Sequence, residues 1–203
     1  MADVGAVILA AGLSSRFSGA RDATKAAALF RGKPMVRHVA EAALASRARP
    51  VIVVLGHAAQ TVKDALEGLD VRFVDNRDYR SGLASSLKGG IAALPDASAG
   101  CVVLLADMPR VSARLVDRLI LAFAAHPGAA ATAPVFAGRR GNPVLISQSL
   151  FPSVRKLKGD EGAKRLIGQL ARGLLVEIEA DDAVHVDFDT AEALADYEEK
   201  TNR

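Results

Sequence analysis

The sequence predicts an α/β fold with a mostly parallel central sheet and helices on both faces. Short runs of Val, Ile, Leu and Ala without polar alternation recur along the chain, as expected of strands buried on both faces. Segments with helical spacing separate them, and that alternation is the pattern of parallel strands joined by crossover helices. The 203 residues suit one domain over 1–203, because a single core can grow to roughly 250 residues before chains divide.

In chain order, strands are expected at 4–10, 51–55, 71–75, 101–106, 129–135, 143–146, 174–178 and 184–188. Helices are expected at 34–47, 58–68, 81–94, 112–126, 147–157, 160–172 and 190–200. Pro34 suits a first helical position, where its missing N–H costs nothing. Gly68 and Gly173 read as helix stops. Ser112 should cap a helix whose Leu115, Leu119 and Ala122 share one face. Asp189, three residues ahead of Glu192, resembles a capping box for the last helix. The polar, small stretch from Ser18 to Thr24 reads as a surface loop.

Composition narrows the function. Twenty-six Lys and Arg against 23 Asp and Glu give a net charge of +3, far from a nucleic-acid footprint. The single Cys101 lies in an apolar run, so no internal disulfide exists and an inert core thiol in a reducing compartment is expected. No stretch reaches the roughly 18 apolar residues of a membrane span, and the N-terminal run has no basic lead, so a cytoplasmic protein is expected.

Ligands of open α/β sheets collect beyond the carboxyl ends of the strands, so residues just after each run carry the chemical argument. After the first run come Ala10, Ala11, Gly12, Leu13, Ser14, Ser15 and Arg16, with Lys25 beyond. Gly12 permits close backbone approach, the two hydroxyls donate, and the cations suit phosphate oxygens. An ordinary capped βα turn is the alternative, since the stretch matches neither GxGxxG nor Walker A.

The run 101–106 ends in Asp107, Met108, Pro109. A carboxylate at a strand tip is costly to half-bury, which suits a Mg²⁺ ligand; an Asx-type turn before the proline suits it equally. Asp187 and Asp189 follow the last run, and either could stand beside Asp107 if the strands are close. The segment from Ser81 to Leu87, containing Gly82 and Ser85, opens a helix with free N–H groups; its serines also read as caps. The turn-rich stretches around Asn142 and from Gly159 to Lys164 suit substrate closure or plain loops.

Together these segments resemble the MobA-like nucleotidyltransferases, and among them most closely the molybdenum cofactor cytidylyltransferases. The likeness spans nearly the whole chain in the family's order: LAAGLSSRF from Leu9, Lys25, GKPMV from Gly32, GLASSL from Gly82, LADMP from Leu105, GRRGNPVLI from Gly138, GDEGAK from Gly159 and DFDTAEAL from Asp187. The resemblance implies a single-domain, Rossmann-like nucleotidyltransferase fold. It implies Mg²⁺-dependent transfer of CMP from CTP to molybdopterin with release of pyrophosphate, and a molybdoenzyme as receiver of the product. It assigns nucleotide binding to Leu9, Ala10, Ala11, Gly12, Ser14, Ser15, Arg16, Lys25, Gly82, Ser85 and Asp107. Catalysis falls to Arg16, Lys25 and Asp107, Mg²⁺ to Asp107 and Asp189, and the acceptor to Asn142, Asp160 and Lys164.

In the family, Ala at the position of Ala11 goes with cytidylyl transfer and Gly there with guanylyl transfer, and a methyl can narrow a base pocket. The chain departs from the family pattern in Phe17 and Ser18 after Arg16, in the longer spacing from Arg16 to Lys25, and in Ala26, Ala27 and Ala28 after the lysine. The alternatives are a guanylyl, sugar-phosphate or polyol-phosphate nucleotidyltransferase on the same scaffold, and a non-catalytic accessory protein that binds the cofactor. A dehydrogenase is disfavoured by the missing GxGxxG.

Overall fold

The computed structural model describes residues 3–12, 24–188 and 190–201. Strands β1 (Val4–Ala10), β4 (Val51–Leu55), β5 (Arg72–Asp75) and β6 (Gly100–Leu105) pair in parallel in the order β6-β1-β4-β5. Beyond β6 the sheet continues through β9 (Val144–Ser147), β7 (Ala131–Phe136) and β10 (Leu175–Glu179), with β9 antiparallel to both its neighbours. A short β8 (Arg139–Arg140) folds back on β7. The sheet is thus mostly parallel, as expected.

Side-chain alternation explains why these runs lack polar residues. In β1, Val4, Ala6, Ile8 and Ala10 enter one core, while Val7 and Leu9, with Ala11 just beyond, enter the other. The first core is covered by α1 (Met35–Ala45), α2 (Ala59–Ala65) and α4 (Ala113–Ala125) through Val39, Val62 and Leu119. The second is covered by α3 (Leu83–Ala92), α5 (Phe151–Val154) and α6 (Ala163–Gly168) through Leu87, Val154 and Ile167. A strand covered on both faces must be apolar at every position.

Cys101 faces the second core, and burial pushes its thiol up to about 12. The folded protein should therefore resist a thiol-labelling reagent at pH 8 and react only after denaturant unfolds it. Because the folded value lies above the unfolded one of about 8.5, this group's contribution to stability is intact below that value and is lost as pH rises toward 12. Guanidinium unfolding at a series of alkaline pH values measures that slope.

Several element boundaries differ from expectation for identifiable reasons. Pro34 sits in the N-cap position of α1 instead of inside it, because it belongs to a hairpin of β2 (Leu29–Phe30) and β3 (Lys33–Pro34). Arg31 and Gly32, both at positive φ, form its two-residue turn. The expected helices 147–157 and 160–172 shrink to a 3-10 turn, Gln148–Leu150, followed by α5, and to α6. Gly68 closes the turn after α2, whereas Gly173 lies in the turn before β10, well past the end of α6.

The expected strand at 184–188 is a correction: Asp182–His185 form a 3-10 turn and no strand follows among the described residues. Asp181 caps that turn by accepting from the Ala183 N–H at 3.1 Å. Val184 then reaches the first core and Phe188 enters a small third cluster with Phe30, Met35 and Leu194 of α7 (Ala191–Thr201). Their apolar alternation serves two separate cores instead of a sheet. Thr24, expected in a surface loop, is buried. The rest of that loop, 18–23, lies outside the described residues.

Candidate active site

Three strand tips meet at the carboxyl edge of β1. Ala10 and Ala11 are buried there, and the exposed Gly12 has nothing among the described residues within 4 Å of the position a Cβ would take. That open space is what a closely approaching ligand needs. Beside it, a Cβ on Gly56 after β4 would stand 2.7 Å from the Ala11 methyl and 2.7 Å from the Cβ of Tyr79. The Ala11 methyl therefore fills the floor between β1 and β4.

Asp107 follows β6, whose end is tied to β1 by the Ala106 N–H donating to the Leu9 carbonyl at 3.2 Å. One oxygen, Oδ2, lies 2.6 Å from Nζ of Lys25, with the two side chains 23% and 14% exposed. The other, Oδ1, is buried and has no hydrogen-bond partner among the described residues. The turn Leu105–Met108 closes through backbone groups alone, Met108 N–H to Leu105 C=O at 3.3 Å. Among the described residues the Asp107 carboxylate accepts from no backbone N–H, which favours the metal-ligand alternative over the turn cap.

Lys25 reaches Asp107 because it opens a 3-10 turn, Lys25–Ala27, seated on the buried Thr24 and Ala26. A second attachment follows directly, since the Met35 N–H donates to the Ala28 carbonyl at 2.8 Å and holds the turn to the start of α1.

An unpartnered, buried carboxylate oxygen is expensive unless a cation takes it. No group of three or more His, Cys, Asp or Glu residues gathers among the described residues. Mg²⁺ suits such a setting, because it is commonly held by one or two carboxylates with waters and substrate phosphates completing its octahedron. Asp107 thus fits as a metal ligand and Lys25 as its neighbouring cation. Leu13, Ser14, Ser15, Arg16 and Asp189 lie outside the described residues. Asp187 is exposed.

Gly82 and Ser85 form a second group. Gly82 has φ +103°, and a Cβ on it would lie 2.3 Å from the carbonyl carbon of Gly159 and 2.8 Å from Oδ1 of Asp160. The Ala84 N–H donates to the Gly159 carbonyl at 2.9 Å. The start of α3 is thereby pressed against the loop that carries Asp160. The Ser85 hydroxyl accepts from Nδ2 of Asn76 at 2.8 Å and lies 2.8 Å from the Gly82 carbonyl and 3.0 Å from that of Asp78. It holds the turn before α3 together but caps no backbone N–H, since the helix start has Gly82 at its N-cap and no side-chain cap. Beside this turn a cavity of about 720 Å³ is lined by Arg77, Arg80, Lys88 and Lys158, among others.

Asn142 lies two residues before Val144, which pairs with Val103 of β6, so it stands at the β6 edge that leads to Asp107; its backbone N–H donates to the Val184 carbonyl at 2.9 Å, and its side chain is half-buried. Asp160 and Lys164 are exposed.

Arg110 and Tyr79 carry no signal in the sequence and are set by the fold. Arg110 donates to both oxygens of Asp182, at 2.7 and 2.8 Å, and its guanidinium lies 5.5 Å from the Tyr197 ring centre. The pairing raises the Arg110 pKa and lowers that of Asp182. Bonds across 72 residues of sequence are invisible to local pattern.

Residues 6–173 match the model of the MobA-like NTP transferase domain. The chain belongs to this family. Like other MobA-like NTP transferase domains it has the fold and character of a nucleotidyltransferase-type enzyme. Among its relatives is the nicotine blue oxidoreductase of Paenarthrobacter nicotinovorans, 32% identical over 197 residues that cover 93% of each chain. The purine catabolism protein PucB of Bacillus subtilis is 38% identical over 119 residues, 57% of this chain and 56% of PucB. Rv0371c of Mycobacterium tuberculosis shares the fold with a TM-score of 0.80 at 27% identity, over 97% of this chain and 98% of its own. A manganese complex of Rv0371c superposes with a TM-score of 0.76 at 26% identity, over 96% and 97% of the two chains. No helix among the described residues of this MobA-like domain is long and apolar enough to cross a membrane.

Proposed function

We propose that this MobA-like enzyme transfers CMP from CTP to molybdopterin, with Mg²⁺ as the metal and pyrophosphate as the second product. The observation that carries the reading is the divided carboxylate of Asp107, one oxygen on Lys25 and the other buried without a partner. In the reaction an oxygen of the acceptor phosphate attacks the α-phosphorus of CTP in line. A new P–O bond forms as the bond to the β-phosphate oxygen breaks, and that electron pair leaves with pyrophosphate. The acceptor phosphate is largely ionised near neutral pH, so no side chain needs to remove a proton. Catalysis then consists of positioning two anions and offsetting their charge.

Asp107 and Asp189 would hold Mg²⁺, which supplies charge neutralisation and orientation at the triphosphate. The cationic Nζ of Lys25, fixed by Asp107, neutralises charge near the α-phosphate, with Arg16 on the same task. Leu9 to Gly12 with Ser14 and Ser15 cradle the nucleotide, and Gly82 and Ser85 shape its far wall. Asn142, Asp160 and Lys164 face the acceptor. The CTP preference rests on Ala11, whose methyl fixes the spacing of the β1 and β4 tips. A molybdoenzyme would receive the product, in the cytoplasm.

The test is pyrophosphate release with purified molybdopterin, Mg²⁺ and each of the four NTPs in turn. CTP should turn over at least about tenfold faster than GTP, the discrimination of roughly 1.4 kcal/mol that a reshaped pocket floor supplies. Equal turnover with all four contradicts the assignment. A second reading, an oxidoreductase activity, is favoured by the 32% identity to nicotine blue oxidoreductase across 93% of both chains. Oxidation of NADH or NADPH in the presence of nicotine blue, with no pyrophosphate from any NTP, would select it.

A further inference from the structure

We propose that Arg110 is a positioning residue for Asp107: through its paired bonds to Asp182 it sets how tightly the site holds a divalent cation. The inference rests on the metal role given to Asp107 above. Its basis is a closed circuit of contacts. Asp107 bonds Lys25, whose turn leads into the β2-β3 hairpin bearing Phe30. Phe30 packs on Phe188 and Tyr197, with ring centres 5.5 and 6.1 Å away. Tyr197 lies under the guanidinium of Arg110, which stands three residues past Asp107 and grips Asp182 with both of its terminal nitrogens. The Asp107 loop is therefore fastened to the C-terminal segment twice, once on each side.

The segment itself is seated elsewhere. Val184 is buried, its carbonyl accepts from Asn142 N–H, and a Cβ on Gly141 would stand 2.4 Å from that carbonyl oxygen. Asp182 is thus a fixed post on the enzyme body, and the planar fork of Arg110 transfers its position to the loop. Groups that bond a metal ligand directly commonly change affinity 10- to 100-fold when altered; Arg110 touches Asp182 and not Asp107, so it acts through the backbone of the loop and its effect belongs at the lower end, about tenfold. The Asp182 side chain is 53% exposed, so losing the pair should leave global stability nearly unchanged.

The experiment titrates Mn²⁺ into the full chain and reads free Mn²⁺ by electron paramagnetic resonance, for wild type, Arg110→Lys, Asp182→Asn and the double variant. Each single variant should weaken Mn²⁺ binding about tenfold, with the thermal midpoint held and kcat at saturating metal close to wild type. The double variant should bind no more weakly than either single one, since both break the same pair. Wild-type affinity in Asp182→Asn, losses that multiply in the double variant, or a wild type that binds no Mn²⁺ would each overturn the proposal. If wild type releases no pyrophosphate from any NTP while Mn²⁺ binding follows the expected pattern, the transferase reading fails and this one stands.

Discussion

Asp107→Asn should lower kcat for pyrophosphate release by about a hundredfold to a thousandfold, the scale on which removal of one well-placed charge-stabilising group acts. The substitution preserves side-chain shape, and the new amide oxygen can still accept from Nζ of Lys25, now 2.6 Å from the carboxylate. What disappears is the negative charge; the amide nitrogen takes the place of the buried oxygen that has no partner among the described residues. The shape and the bond to Lys25 are kept, so the variant should lose activity with a fall of only a few degrees in melting temperature. A melting curve and a kcat measured on the same preparation check both halves. A variant that loses both together would mark Asp107 as a structural residue.

Gly82→Ala should cost about 2 to 4 kcal/mol, combining left-handed backbone strain with overpacking, and lower the melting temperature by about 5 to 15 °C. At φ +103° a side chain is strained whatever the space, and here the added Cβ would meet backbone, the carbonyl carbon of Gly159, at 2.3 Å. Backbone cannot swing away as a side-chain end can, so the loop bearing Asp160 must move. The same variant should therefore raise KM for the acceptor more than KM for the NTP. Gly12→Ala is the contrasting case. Its Cβ meets nothing among the described residues within 4 Å, so stability should be kept while nucleotide affinity falls. Differential scanning calorimetry and substrate titrations on the pair separate a packing glycine from a ligand glycine.

The strands were legible because burial on both faces forces an apolar residue at every position, as in Val51–Leu55. The same signal misled at 184–188, where Val184 inside a capped 3-10 turn and Phe188 just past it are apolar but enter two different cores. A local pattern records that a side chain is buried, not what buries it. The β2-β3 hairpin left a trace that sequence reading passed over: Arg31-Gly32 between Leu29-Phe30 and Lys33-Pro34 is a short turn between paired residues.

For the candidate site, Lys25 and Asp107 were singled out separately by charge at strand ends, and the fold brings them to 2.6 Å. Two readings of Asp107 were open in the sequence, and among the described residues its carboxylate bonds no backbone N–H, which favours the metal ligand over the turn cap. The Ser85 hydroxyl is engaged by Asn76 and the turn carbonyls and caps no backbone N–H. Arg110 could not be found by pattern, since its partners Asp182 and Tyr197 belong to a distant segment that only tertiary packing delivers.

The most direct test of the central claim follows the α-phosphorus itself. CTP carrying radiophosphorus at the α position is incubated with enzyme, Mg²⁺ and molybdopterin, and the products are separated. The account predicts that the label moves into a molybdopterin dinucleotide, in step with unlabelled pyrophosphate, and that Asp107→Asn nearly abolishes the transfer. Label that stays in CTP, or appears only as free CMP, would contradict it.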